Sequence, residues 1–320
     1  MGCRSDLPMS ARGRSGKPQP KGGRGRPANR AAKKVAKGRG KGQPQRPRRG
    51  EGQRGTTPIR TPDEGRGGGH LGGDQIEGRH AVRELLMAGT RRTREVILAG
   101  DLDPAPILDD IIDLADEQKV TIRELSRSKF ESMTRTDGAQ GVLAMAQPLR
   151  PTPLDELLRP ERDGTPPFIL LLDGITDPGN LGAILRTAEC AGVTGVVLPR
   201  HRAAHITPTV AKTAAGAIEH LRIAVVGGLP ATMKNLSQQG IWTVGLDAGG
   251  ERSIFDLPVA DEPVALVLGA EGPGLSRLVR ERCDTVASIP MGGVLDSLNV
   301  SNAAAVAVYE ITRRRGATTN

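Results

Sequence analysis

The sequence predicts an α/β protein: an open, mostly parallel sheet, preceded by a smaller α/β unit and a long basic tail. Three observations carry that expectation. Segments such as residues 168–172 and 264–268 are continuously apolar, as parallel strands buried on both faces must be. Such segments alternate with stretches of helical period, the pattern of strands joined by crossover helices. The third observation is a sharp change of composition near residue 72.

Of the 320 residues, the first 72 hold 19 Lys/Arg against 4 Asp/Glu, a net charge of +15, whereas residues 73–320 hold 26 against 32, a net of −6. The high isoelectric point therefore belongs to the tail and not to the body. The tail has 17 Gly, 8 Pro and no Phe, Tyr or Trp. Such a segment cannot bury enough apolar surface to offset its ordering entropy, so disorder is expected over residues 1–72. Its charge suits contact with phosphates regardless of sequence, and Arg24-Gly25-Arg26-Pro27 resembles the core of an AT-hook. No apolar core follows the early basic residues, so no secretory signal is expected. Asp6 stands where a myristoylation pattern needs Ser or Thr. No run approaches the ~20 apolar residues of a membrane span. Cys3, Cys190 and Cys283 are too few and too scattered for a zinc site or a disulfide framework, so no metal and a reducing, cytoplasmic location are expected.

The leading unit is expected over residues 73–147. A short strand and a turn begin it, then a helix with Val82, Leu85 and Leu86 on one face. Strands follow at residues 95–99, 120–125 and 142–146, with helices at 104–118 and 127–133 between them. The proline-rich residues 148–167 read as a linker. The larger unit, residues 168–320, is expected to hold strands at 168–173, 195–198, 222–226, 242–246, 264–268 and 286–289. Helices at 181–191, 207–217, 229–239, 276–282 and 300–314 fill the gaps.

Three blocks are denser in Gly, Asn, Ser and charge than a sheet core needs. In Leu172-Asp-Gly-Ile-Thr-Asp-Pro-Gly-Asn-Leu-Gly-Ala-Ile-Leu-Arg186 a buried strand ends in a polar turn and a helix begins near Asn180. Asn180 is read either as an N-cap or, with Arg186, as a group at the carboxyl edge of the sheet, where open α/β folds bind ligands. Gly269-Ala-Glu-Gly-Pro-Gly274 follows a second buried strand; its glycines allow close backbone approach. Its spacing is neither the dinucleotide fingerprint nor a phosphate loop, which argues against NAD and ATP. In Ile289-Pro-Met-Gly-Gly-Val-Leu-Asp-Ser-Leu-Asn-Val-Ser301 a third strand ends in a flexible loop, and Ser301 is a candidate N-cap for an Ala-rich helix.

In this order the three blocks resemble the SpoU (TrmH) branch of the SPOUT RNA methyltransferases, a likeness covering residues 75–315. The resemblance implies a deep trefoil knot at the carboxyl end of the sheet, and a leading unit akin to the ribosomal L30e fold that recognises RNA. It implies S-adenosylmethionine bent into the knot loops, lined by Gly269, Ile289 and Leu298 together with Gly274 and Met291. Asn180, Arg186, Glu271, Ser297 and Asn299 match the family's polar active-site positions. The implied reaction is 2′-O-methylation of a ribose, a guanosine of large-subunit (23S) rRNA. Alternatives are a tRNA ribose, the rRNA site of thiopeptide resistance, and a non-enzymatic RNA-binding or ribosome-assembly factor. A homodimer is implied as well, with the Ala-rich residues 303–308 as a smooth packing face.

The chemistry asks little of metals, because a sulfonium methyl is already electrophilic. It asks for alignment with O2′, removal of the hydroxyl proton and a grip on the flanking phosphates. Arg186 suits phosphate binding and polarisation rather than proton abstraction, since a guanidinium stays protonated. Asn180 and Asn299 would orient the ribose, Ser297 would bond near the hydroxyl, and Glu271 would orient Arg186 or accept a proton. His80, His201 and His205 are the other conceivable bases. Cys190 is expected in the core.

Overall fold

The computed structural model describes residues 71–201 and 205–318. The expectations for residues 1–70 of the tail, the AT-hook-like segment included, fall outside those residues. Leu71 and Gly72, expected in the disordered tail, are ordered, with Leu71 buried and donating its N–H to the Leu149 carbonyl at 3.1 Å.

The small sheet comprises β1 (Gln75–Glu77), β2 (Thr93–Ala99), β3 (Thr121–Leu125) and β4 (Val142–Ala146) in the order β1-β4-β2-β3. β4 is antiparallel to both neighbours, and β2 and β3 are parallel. Helices α1 (Arg79–Ala88), α2 (Pro106–Glu117) and α3 (Arg127–Met133) complete the unit. α1 buries the expected stripe of Val82, Leu85 and Leu86 together with Ala81, and stops at Gly89 in the left-handed conformation.

The proline-rich stretch expected as a linker is instead docked. It contains α4 (Leu154–Leu157), and Leu157 is buried against Gly195, where a Cβ would lie 2.4 Å from the Leu157 side chain. Thr152 also donates its N–H to the Ile223 carbonyl at 2.8 Å. The prolines set an extended backbone, but Leu154, Leu157 and Leu158 supply an apolar contact that the count of prolines concealed.

The large sheet follows. Its strands are β5 (Phe168–Asp173), β6 (Gly195–Pro199), β7 (Ile223–Val226), β8 (Trp242–Leu246), β9 (Arg252–Ser253), β10 (Val264–Gly269) and β11 (Thr285–Ser288), in the order β7-β6-β5-β10-β8-β11-β9 with every pairing parallel. β9, a two-residue edge strand, has no apolar pattern and went unforeseen. The helices are α5 (Pro178–Cys190), α6 (Pro208–Thr213), α7 (Leu229–Gln238), α8 (Arg277–Arg280) and α9 (Val300–Thr318). α6 is shorter than the expected helix over 207–217. Ala215 and Gly216 both take positive φ and break it into a separate 3-10 turn, Ala217–Glu219.

β5 shows how the apolar runs work. Phe168, Leu170 and Leu172 face one core, and Ile169 and Leu171 face another, the alternation that a pleated strand imposes. The first core also takes in Val82, Leu86 and Val96 of the small unit, so the two sheets share buried surface. The chain runs outward through β5, β6 and β7, then returns to place β8 and β10 on the other side of β5. β5 and β10 therefore straddle a switch of direction, with Asp173 opposite Gly269 at their carboxyl ends.

Candidate active site at the carboxyl edge of the large sheet

A cleft of about 590 Å³ opens where β8, β10 and β11 end. The turn after β10 forms one wall. Gly269 there has no room for a side chain, since a Cβ would lie 2.2 Å from the Gly274 carbonyl carbon. Gly272 and Gly274 both take positive φ, which lets the turn double back so that Ala270 and Gly274 exchange backbone hydrogen bonds at 3.0 Å each way. The opposite wall is the loop after β11, with Ile289, Met291, Ser297, Leu298 and Asn299. Leu246, Leu268 and Ala303 add apolar lining, and Asp247, Glu271 and Asp296 are the carboxylates of the cleft.

Three polar side chains, one from the first turn of α5 and two from loops, meet at the mouth. The Asn180 amide donates to Glu271 Oε2 at 3.0 Å, and the Asn180 oxygen accepts from Asn299 Nδ2 at 3.0 Å. Asn180 is free to do so because it is not the cap of α5. Asp177 caps that helix, its Oδ1 accepting the Asn180 N–H at 2.7 Å, with Pro178 in the first turn. Asn299 has two roles. Its Oδ1 accepts from Ser301 N at 2.9 Å and Ser301 Oγ at 2.6 Å, and its carbonyl receives the Ala303 N–H. Asn299 therefore caps α9, where Ser301 was expected to do so. The cap orients the amide nitrogen toward Asn180.

Eight of the ten expected site residues, Gly269, Glu271, Gly274, Ile289, Met291, Ser297, Leu298 and Asn299, line this one cleft, and Asn180 is bonded to two of them. Arg186 stands apart. It is exposed on α5 and outside the cleft lining, six residues beyond Asn180, which on an α-helix is about 9 Å of rise and about 120° of turn. Ser297 bonds at 3.2 Å to the neighbouring Asp296. The expected histidines are elsewhere: His80 is exposed at the start of α1, and His201 and His205 are exposed beyond β6.

Cys190, expected in the core, is exposed at the end of α5, because the buried face of that helix is used up by Leu181, Ile184, Leu185 and Ala188. Cys283 is packed under Gly245, and burial pushes its thiol up to about 12, aided by Asp284. It is a structural group. The Ala-rich face expected to meet a second copy is partly used within the chain, since Ala304, Ala307, Val308 and Ile311 are buried where α9 packs on α5.

Asp247 was missed. Burial works to raise its pKa, but the Gly249 N–H, the Arg280 guanidinium at 2.5 Å and the Leu275 N–H outweigh it, and the net shift is downward. A signal existed: Leu172-Asp-Gly, Leu246-Asp-Ala-Gly and Leu268-Gly-Ala-Glu are three strand ends of the same kind.

Among the described residues no cluster of His, Cys, Asp and Glu could hold a metal ion, and no helix is long and apolar enough to cross a membrane. Residues 167–309 match the SpoU rRNA Methylase family, and residues 75–152 match the family of RNA 2′-O ribose methyltransferase substrate-binding segments. The 23S rRNA (guanosine-2′-O-)-methyltransferase RlmB of Pseudomonas putida is 39% identical over 246 residues, covering 76% of this chain and 97% of that protein. A TrmH family tRNA/rRNA methyltransferase, YacO of Bacillus subtilis, is 39% identical over 243 residues, covering 76% of this chain and 96% of its own length. Among solved structures, the SpoU methyltransferase AviRb from Streptomyces viridochromogenes in complex with the cofactor AdoMet superposes with a TM-score of 0.62 at 25% identity, covering 75% of this chain and 89% of that one.

Proposed function

The chain belongs to the SpoU rRNA methylase family, and on that premise we propose that it is an S-adenosylmethionine-dependent RNA methyltransferase acting on the 2′-hydroxyl of a guanosine in 23S rRNA. The observation that carries the reading is the joining of Asn180, Glu271 and Asn299 at the mouth of the cleft. The cleft fits the cofactor: its volume of about 590 Å³ suits a nucleoside-sized ligand. A Cβ on Gly269 or Gly274 would strike backbone or Asp247, so bare main chain is what faces a ligand there. Gly269, Gly274, Ile289, Met291 and Leu298 would hold the cofactor, which supplies an electrophilic methyl group.

The protein's own groups then have defined tasks. Glu271 is fixed through one carboxylate oxygen by Asn180, which leaves the other to take the hydroxyl proton, directly or through water. Asn180 and Asn299 hold that carboxylate in place and present amides to the ribose. Ser297, on the same loop, adds a hydroxyl. Arg186 binds an RNA phosphate from its exposed position on α5. A homodimer belongs to this reading: exposed Val294 and Leu295 on the loop after β11, and Tyr309 on α9, are apolar surface that a second copy would cover. The trefoil knot also belongs to it, supported by tight crossings at the same edge, where a Cβ on Gly250 would lie 2.4 Å from the Ala287 carbonyl carbon. An L30e-like leading unit that selects RNA, a basic tail that adds phosphate contacts, and a cytoplasmic location complete the proposal.

The test is to incubate the protein with labelled S-adenosylmethionine and unmethylated 23S rRNA or tRNA, then map the label. A single 2′-O-methylguanosine in 23S rRNA is expected. Label in tRNA alone would move the substrate, and no transfer to either RNA would sink the enzymatic reading.

A further inference from the structure

One buried ion pair lies far from the cleft. Arg91, in the loop between α1 and β2, forks onto Glu219 of the 3-10 turn that follows α6, with Nε to Oε2 at 2.8 Å and Nη2 to Oε1 at 2.6 Å. Their side chains are only 7% and 1% exposed. The remaining guanidinium nitrogen donates to the carbonyls of Gly73 and Gln147. Gly73 is where the chain enters the small sheet, and Gln147 is where it leaves. One guanidinium thus ties both ends of the small unit to the large one. Around it, Glu84 of α1 accepts from His220 Nε2 at 3.0 Å, Lys212 donates to the Asp137 carbonyl, and Gly216 has no room for a Cβ beneath Glu84. A groove of about 440 Å³ beside Arg91 separates the two units on that side.

A buried charge pair is a poor way to add stability, because desolvation offsets the attraction and apolar residues of similar volume serve as well. What a planar fork supplies is geometry: five donors in fixed directions admit one arrangement of partners. We infer that Arg91 and Glu219 are positioning residues that hold the small sheet at one angle to the cleft and so determine which ribose reaches Glu271. This rests on the methyltransferase reading above. RNA gripped by the small unit is then measured out to the cleft by a rigid connection; the docked proline-rich segment and the shared core set its length, and the fork sets its angle.

The test uses the full-length protein, labelled S-adenosylmethionine and an unmethylated 23S rRNA fragment. Arg91→Lys keeps the charge without the fork. Arg91→Met with Glu219→Met removes both charges, so that neither is left buried alone. The expected result for both is a fall in kcat of about tenfold, as when only one complex in ten has the productive geometry. The RNA KM and the S-adenosylmethionine Kd should stay within about twofold, and label should spread to riboses flanking the target. A purely structural role predicts otherwise: once the double variant recovers the wild-type Tm, it should recover wild-type kcat and a single labelled nucleotide, and that result overturns the inference. Loss of cofactor binding in step with kcat overturns it too. Should the double variant melt below assay temperature, the same comparison is read on Glu219→Gln, which keeps the shape. A wild-type protein that methylates no RNA fails the methyltransferase reading itself, which the variants then do not address.

Discussion

At the amino edge of the large sheet, Arg315 lies over the Phe168 ring at 5.0 Å and donates to the carbonyls of Ala260, Pro166, Pro167 and Glu262 at 2.6–3.1 Å. At the carboxyl edge, about 15 Å away along the same strands, Asn180, Glu271 and Asn299 bond mainly to one another, Glu271 and Asn299 exposed and Asn180 half-buried. Both edges are polar, and both draw on loops from distant parts of the chain. They differ in what the polar groups satisfy. Arg315 gathers carbonyls from residues 166–167 and 260–262, the buried Ala260 carbonyl among them, so that edge is spent on holding strands together. The amides and carboxylate of the carboxyl edge keep capacity in reserve for a ligand. The lesson is that a residue's polarity says little of its role until its partners are known, and that one sheet can place stability at one end and chemistry at the other.

Changes at the two edges should therefore separate activity from stability. The largest effect is expected for Glu271→Gln, with kcat falling by about 10³, or ~4 kcal/mol of barrier. Its Tm should stay close to wild type, as for other exposed substitutions. Single-turnover methylation and thermal melting of the same preparation check this; a large loss of Tm would blur the contrast. Arg315→Ala should do the reverse. Taking this donor from the buried Ala260 carbonyl and the half-buried Pro166 carbonyl costs about 1–3 kcal/mol, seen as a lower Tm and an earlier denaturant midpoint, while kcat well below the transition remains that of wild type. Gly269→Ala tests the carboxyl end of β10, where strand and cleft wall join. The Cβ lands 2.2 Å from the Gly274 carbonyl carbon, so the turn must shift. We expect S-adenosylmethionine binding, read by calorimetry, to weaken about tenfold or more, with ~1–3 kcal/mol lost from stability. An unchanged Kd would mean that the turn does not face the cofactor.

The smallest effect concerns acid. The pKa of Asp247 is lowered in the folded protein, mainly because the Gly249 N–H and Arg280 outweigh the raising effect of its burial. A carboxylate with a depressed folded pKa contributes stability above its unfolded value, near pH 4, and loses it as pH falls through the folded one. Asp247→Asn should accordingly flatten the dependence of Tm on pH below about pH 4 and leave it unaltered at neutrality. A parallel acid limb in the variant would show that Asp247 does not couple to folding.

Much of this was legible in the sequence. Continuous apolar runs marked β5 and β10, and the helical stripe of α1 held residue for residue. The blocks that line the cleft were legible because they are rich in Gly, Asn and Ser and follow strand ends, and the resemblance to the SpoU family picked out the individual residues within them. What escaped were features without a local pattern: the two-residue strand β9, the docking of Leu157, and the break after Thr213, where Ala215 takes a conformation that glycine usually supplies. Cys190 was misplaced because an apolar neighbourhood in sequence is no guide to which side of a helix end is covered.

The sequence by itself determined most of the strands and helices and the turns that end the central strands, because backbone period and side-chain size act over a few residues. Only the tertiary structure decided that Asn299 rather than Ser301 caps α9, that Asn180 is released by Asp177 to join Glu271, that Arg186 stands away from them, and that Arg91 finds Glu219. Those outcomes depend on which loops a parallel sheet brings side by side. Residues 91 and 119 positions apart in sequence are joined by single hydrogen bonds, and residues 128 apart by a two-bond fork, and no local preference encodes a partner at that distance.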